Sequence, residues 1–214
     1  MKIATFNING IKARIDALPQ WLDEAAPDVA LLQEIKSVDE AFPREIFEER
    51  GYNVETHGQK SFNGVAILSK YPLEDVIRGL PGDAEDEQAR WIEATVVGQK
   101  ALRICGLYLP NGNPCPGPKY EYKLAWMARM QARVAELLAE ETPVFFAGDY
   151  NIIPQDEDAA RPDAWRLFQH LAKDQPRGVS QNREPWPDGC VSRTGARWRQ
   201  LFVLGLPSGG VEPQ

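Results

Sequence analysis

The stretch VFFAGDYNIIP, residues 144–154, constrains the fold more than any other part of the chain. Four of its first five residues are apolar, so a strand here has no polar face and must be covered on both sides. The run then breaks into an acid, an aromatic and an amide: Asp149, Tyr150 and Asn151. Gly148 is expected to turn the backbone there, leaving Asp149 and Asn151 at the strand's end. In α/β sheets that end is where ligands bind. An Asp-x-Asn turn that only caps the strand is the other reading of the same residues.

Apolar runs of this kind recur. KIATFN (2–7), DVALLQ (28–33), residues 52–55 and GVAILS (64–69) read as strands, and WIEATVV (91–97) pairs with LRICGLYLP (102–110) around the linker GQK. Helical spacing places one helix around Ile15, Leu18, Trp21 and Leu22 and a second, shorter piece near residues 40–49. The longest helix covers 119–141, with Leu124, Met127, Met130, Val134, Leu137 and Leu138 as its apolar side. Strand pairs mixed with helices predict an α/β fold with two packed sheets and helices outside, not an alternating βαβ array.

Length and composition narrow the classes. The chain has 214 residues, 43% of them hydrophobic, enough for one sizeable domain. No apolar run approaches membrane-spanning length, and MKIATFNING is strand-like and lacks a signal peptide, so a cytoplasmic protein with no membrane partner is expected. Cys105, Cys115 and Cys190 have no metal-type spacing and suit a reducing compartment. His57 and His170 stand alone, which argues against a His-rich zinc site. The net charge of −7 argues against a protein that coats nucleic acid electrostatically. It leaves room for an enzyme that handles phosphates through a divalent cation, because such a site needs carboxylates.

Three further strand ends repeat the pattern at Asp149. The first releases Asn7 and Asn9, the second Gln33 and Glu34, and LRICGLYLP releases Tyr108 and then Asn111. Each has a plain structural alternative: Asn7 as a turn cap, Glu34 as a partner of Lys36, Tyr108 as a rim aromatic. Their joint occurrence points instead to oxygen donors converging on Mg²⁺, with Mn²⁺ as the alternative ion.

LLQEIK, NGVAILSK, LYLPNG and GDYNIIP, with the opening KIATFNINGI, resemble the exonuclease III family of DNA-repair nucleases, part of the endonuclease/exonuclease/phosphatase superfamily. The resemblance runs from Met1 to about Trp165 and implies a four-layered α/β sandwich: two packed mixed β-sheets flanked by helices. It implies a Mg²⁺-dependent exonuclease and apurinic/apyrimidinic endonuclease, a monomer, acting on double-stranded DNA with abasic sites or 3′ ends. Position by position, Glu34 matches the metal ligand and Asn7 the residue that orients the ligand cluster. Asp149 matches the carboxylate that takes the proton of the attacking water, and Asn151 the amide that steadies the phosphate. Both also belong to the implied metal cluster. Tyr108 matches a catalytic residue supporting the phosphate or the base. Gln33 and Asn111 are expected to contact the DNA backbone, and Lys60, Gly64 and Arg90 its path, with structural roles as the alternative.

The family's later motifs, Asn-Asn-Gly-x-Arg-Ile-Asp and Ser-Asp-His-x-Pro, are missing from this sequence, so the second half of the fold is expected to be incomplete. From Arg166 onward the chain carries seven Lys and Arg against four Asp and Glu, a charge of +3 where residues 1–165 carry −10. The piece has little periodicity, yet it contains Trp186, Trp198 and Phe202, which disordered tails rarely do. Reading one nucleotide out of register gives an explanation. Residues 184–192 then permit Asn-Leu-Gly-Leu-Thr-Asp-Ala-Phe, and 201–214 permit Tyr-Ser-Phe-Trp-Asp-Tyr-Gln-Ala-Gly-Ala-Trp-Asn-Arg. Both resemble the family's sequence ahead of its missing motifs. The expected organisation is therefore the N-terminal part of one nuclease domain, residues 1–165, followed by a frameshifted, non-native tail, 166–214. Two other functions share the features: a phosphodiesterase acting on lipid or inositol phosphates, and a DNA-binding remnant without catalysis.

Overall fold

The apolar runs assemble as two four-stranded sheets stacked face to face. The computed structural model of the chain describes residues 1–140 and 142–152. The first sheet has the order β1 (Ile3–Asn7), β2 (Val29–Gln33), β4 (Val65–Ser69), β3 (Asn53–His57). The second has the order β5 (Leu73–Arg78), β6 (Trp91–Val97), β7 (Ala101–Tyr108), β8 (Val144–Asp149). Each sheet contains one parallel pair, β1 with β2 and β7 with β8, and its other pairings are antiparallel. The tail and its proposed frame change lie outside the described residues.

Alternation along the strands builds the layers. In β2, Val29 and Leu31 face the other sheet, where Ile92, Ala94, Val96, Ile104 and Ala147 meet them. Ala30 and Leu32 face the opposite way, against Leu18, Leu22 and Phe47 of α1 (Ala17–Ala25) and α2 (Arg44–Glu48). On the far side, Trp91, Cys105 and Leu107 pack under Trp126, Met130 and Val134 of α3 (Pro118–Ala139). The result is helix, sheet, sheet, helix: the four-layered sandwich expected from the sequence.

Departures from the expected elements have local causes. The helical piece near 40–49 splits at Pro43 into a 3₁₀ turn at Asp39–Ala41 and α2, because a proline disfavours helical backbone at the residue before it. Strand β5 was not expected. Its LEDVIR has no clean alternation, and its pairing with β6 slips between Glu74 and Ile77. Gly148 does not turn the chain; it lies inside β8, which runs on through Asp149. A Cβ there would sit 1.9 Å from the Leu107 carbonyl oxygen, so the glycine admits a close approach between β7 and β8. Among the described residues no helix is long and apolar enough to cross a membrane.

Candidate active site

Parallel pairing brings like strand ends to the same edge of a sheet. Asn7 is in register with Gln33, and Tyr108 with Asp149. Because β1 also packs against β8 across the sheet interface, the two edges share one corner. Asn7, Glu34, Tyr108 and Asp149 converge there from the ends of four strands, Asn7 and Asp149 being 142 positions apart in sequence.

Asn7 holds the corner together. Its Nδ2 donates to Glu34 Oε1 at 3.0 Å and to Asp149 Oδ2 at 3.0 Å. Its Oδ1 accepts the Asn9 backbone N–H at 3.1 Å, so the residue also caps the turn after β1. Glu34 gathers two more donors: the Tyr108 hydroxyl at 2.7 Å on Oε1 and Lys36 Nζ at 2.9 Å on Oε2. Burial pushes the Glu34 carboxyl up, but the bonds from Asn7, Lys36 and Tyr108 and the Lys36 charge outweigh it and hold it below the usual carboxylate range. Burial and the Glu34 carboxylate push the Tyr108 phenol well above its ordinary value, so it stays protonated and donates. The Arg90 guanidinium lies 4.8 Å from the centre of the Tyr108 ring and donates to its carbonyl at 3.2 Å.

Asn151 joins through the backbone. Its N–H donates to Asp149 Oδ1 at 2.9 Å, and its side-chain Nδ2 donates to the Leu109 carbonyl at 2.8 Å. Asn9, Glu34, Lys36 and Asn151 all have positive φ, between 46° and 53°. Left-handed backbone at a glutamate and a lysine is costly and clusters at functional sites.

The two expected DNA-backbone contacts differ in placement. Gln33 is 1% exposed, and its amide is engaged with Thr5 Oγ1 at 3.1 Å and the Leu31 carbonyl at 3.0 Å, inside the fold. Asn111 is exposed beyond the Tyr108 end of β7, and its Oδ1 accepts the Asn113 backbone N–H at 3.0 Å. Lys36 pairs with Glu34, as the sequence reading allowed. Lys123 is the residue that the sequence pattern does not single out. Lys123 is fully buried on α3, on a face otherwise filled by apolar side chains, and donates to the carbonyls of Asn151 at 2.9 Å and Asn111 at 3.4 Å. Burial lowers its amine to about 8 against the opposing pull of Asp149.

Among the described residues there is no group of three or more His, Cys, Asp or Glu side chains suited to a metal. The donor set is two carboxylates and two amides, without imidazole or thiolate. Such hard oxygen ligands fit Mg²⁺ or Mn²⁺, which keep several waters, better than a closed zinc site.

Two facing mixed sheets, flanked by helices and carrying an acid–amide cluster at their shared corner, define a sandwich with one site at its edge. The chain belongs to the Endonuclease/Exonuclease/phosphatase family, whose sequence profile matches residues 4–203. It is 40% identical over 160 residues to exodeoxyribonuclease III of Haemophilus influenzae, covering 74% of this chain and 60% of that protein. It is 27% identical over 172 residues to an exodeoxyribonuclease of Bacillus subtilis, covering 78% of this chain and 64% of the relative. The chain thus spans under two thirds of these curated relatives. Among solved structures, an AP endonuclease from Archaeoglobus fulgidus superposes with a TM-score of 0.75 at 34% identity, over 81% of this chain and 66% of that one. A 3′ phosphatase from Neisseria bound to product DNA hairpin gives 0.75 at 34% identity, over 80% of this chain and 65% of its own.

Proposed function

We propose that residues 1–165 are the N-terminal part of a divalent-cation-dependent DNA-repair nuclease of exonuclease III type. It hydrolyses phosphodiesters in double-stranded DNA beside abasic sites and at 3′ ends. The observation that carries this reading is the Asn7 amide, 3.0 Å from both the Glu34 and Asp149 carboxylates. A structural cap needs one acceptor; a bridge between two acids suits a site that gathers negative charge for a cation. The names of the relatives, an exodeoxyribonuclease III and an AP endonuclease, support the choice of DNA over lipid or inositol phosphates.

Glu34 and Asp149, with Asn7 and Asn151 beside them, would hold Mg²⁺ or Mn²⁺. When bound, the ion supplies charge to offset the phosphate and its transition state. Asp149 is the base for the attacking water, its carboxylate fixed by Asn7 on one oxygen and by Asn151 N–H on the other. The Asn151 amide plane is set by its bond to the Leu109 carbonyl, which aims the side chain for donation to a phosphate oxygen. Tyr108 acts as a donor that fixes Glu34, not as a proton acceptor. Arg90, stacked against the Tyr108 ring, and the exposed Asn111 are the assigned DNA contacts under this reading.

The tail sets the outcome for this polypeptide. We assign residues 166–214 to translation one nucleotide out of frame, so the chain keeps the Glu34–Asp149 half of the site and lacks the Asp–His half. The family match reaches residue 203, which makes an in-frame tail the competing outcome. The test compares the 214-residue protein with the product of the same locus after frame restoration, on a duplex with a synthetic abasic site and Mg²⁺. The expected result is little turnover by the first and robust turnover by the second, lost in the second upon Asp149→Asn. Robust turnover by the 214-residue chain overturns the frame assignment. An inactive restored protein overturns the nuclease reading.

A further inference from the structure

Lys123 is the one fully buried lysine among the described residues, and no role assigned above uses it. It sits on the core face of α3, in helical step with Trp126, Met127, Met130, Val134 and Leu137, all of which are buried. A charged group at such a position is costly unless its hydrogen bonds are met. Its ammonium reaches between two loops and donates to the carbonyl of Asn151, after β8, and to that of Asn111, after β7. The fold also makes room for its stem. Gly112 has φ +80°, and a Cβ there would lie 2.8 Å from Lys123 Cδ.

We infer that Lys123 is a positioning residue that ties the loops after β7 and β8 together, fixing Asn151, and through it Asp149, in the geometry that accepts a divalent cation. The inference rests on the proposed use of that site, and it adds a support that reaches the site through the backbone, from the helix layer beneath. The Asn151 N–H that steadies Asp149 Oδ1 and the Asn151 carbonyl held by Lys123 belong to one short turn. Losing the ammonium frees the turn at one end while the core face of α3 stays apolar.

The test uses the full 214-residue chain, its Lys123→Met variant and, separately, Gly112→Ala, which pushes the lysine stem from the loop side. Amide exchange is followed by mass spectrometry, and Mn²⁺ affinity by electron paramagnetic resonance. Lys123→Met should speed exchange about tenfold or more in residues 107–113 and 147–152, while 91–97 and 126–137 are unchanged. Mn²⁺ affinity should fall about 10- to 100-fold, the usual loss when a ligand's support is removed. Simple electrostatics gives the opposite sign, because deleting a nearby cation should strengthen Mn²⁺ binding. Unchanged or tighter Mn²⁺ binding therefore overturns the inference, as does unchanged exchange or faster exchange everywhere. If Lys123→Met fails to fold, Gly112→Ala is judged by the same criteria. A parent chain that binds no Mn²⁺ counts against the functional reading, and the exchange pattern then decides the role of Lys123.

Discussion

Removing the Glu93 carboxylate should destabilise the fold more than its single position suggests. Glu93 lies on β6 with no exposed surface, between β7 and α3. It accepts Arg103 Nη2 at 2.9 Å, Arg133 Nη2 at 2.5 Å and Trp91 Nε1 at 3.3 Å. Arg103 is only 7% exposed, and Asp75 and Thr95 give it one oxygen each, at 2.8 and 3.1 Å. Glu93→Ala therefore leaves two guanidinium groups facing each other, one of them inside the protein. Breaking a buried pair from one side costs about 3–5 kcal/mol, a large part of a domain's 5–15 kcal/mol. With a urea slope of about 2 kcal/mol/M, the unfolding midpoint should drop by roughly 2 M. Replacing Glu93, Arg103 and Arg133 together with Met removes the unmatched charge and should recover most of the loss. Burial raises the Glu93 carboxyl, but the bonds and charges of Arg133 and Arg103 outweigh it, so it titrates below its ordinary 4.5. Its contribution is present above that value and drains as pH falls through the lowered one; Glu93→Ala should lose that part of the acid limb. A midpoint shift worth less than about 1 kcal/mol, or a triple variant no better than the single, refutes the reasoning.

Gly148→Ala should cost about 3 kcal/mol or more in the same urea experiment, because its Cβ meets Leu107 backbone rather than a movable side chain. Asn7→Ala and Glu34→Gln should each weaken Mn²⁺ binding at least about tenfold with little change in the midpoint; loss of folding instead would mark them as structural. Asp86 accepts the Tyr122 hydroxyl at 2.9 and 3.0 Å and pairs with Arg129, so Asp86→Asn should cost about 1–3 kcal/mol. Burial raises its carboxyl, and Arg129, the Gln88 N–H and Tyr122 more than reverse that, so the effect should fade as pH falls below its ordinary 3.8; an undiminished difference at low pH contradicts the assignment.

The sequence by itself determined the strands with no polar face and the polar residues waiting at their ends. VALLQ and VAILS read correctly because a strand buried on both sides has no alternation to confuse. VFFAG also forms a strand, but the expected cover on both faces is not met among the described residues, where only Ala147 of β8 is buried. WIEATVV and the strand after it read correctly as a pair because a short linker leaves few other arrangements. The weak alternation of LEDVIR hid β5, a half-exposed edge strand that carries little pattern to detect. Which ends meet was a tertiary decision. Nothing near Asn7 in the chain says that its amide will lie between Glu34 and Asp149; the parallel pairings and the stacking of the two sheets do that. Lys123 shows the same division. In sequence it is a lysine on a helix, most simply placed in water. Only the packing of α3 over β7 and β8 turns its ammonium inward, where two backbone carbonyls are its partners. Side-chain type and spacing are local and can be read from the chain, whereas contacts across many residues depend on loop closures and layer packing that local pattern does not encode.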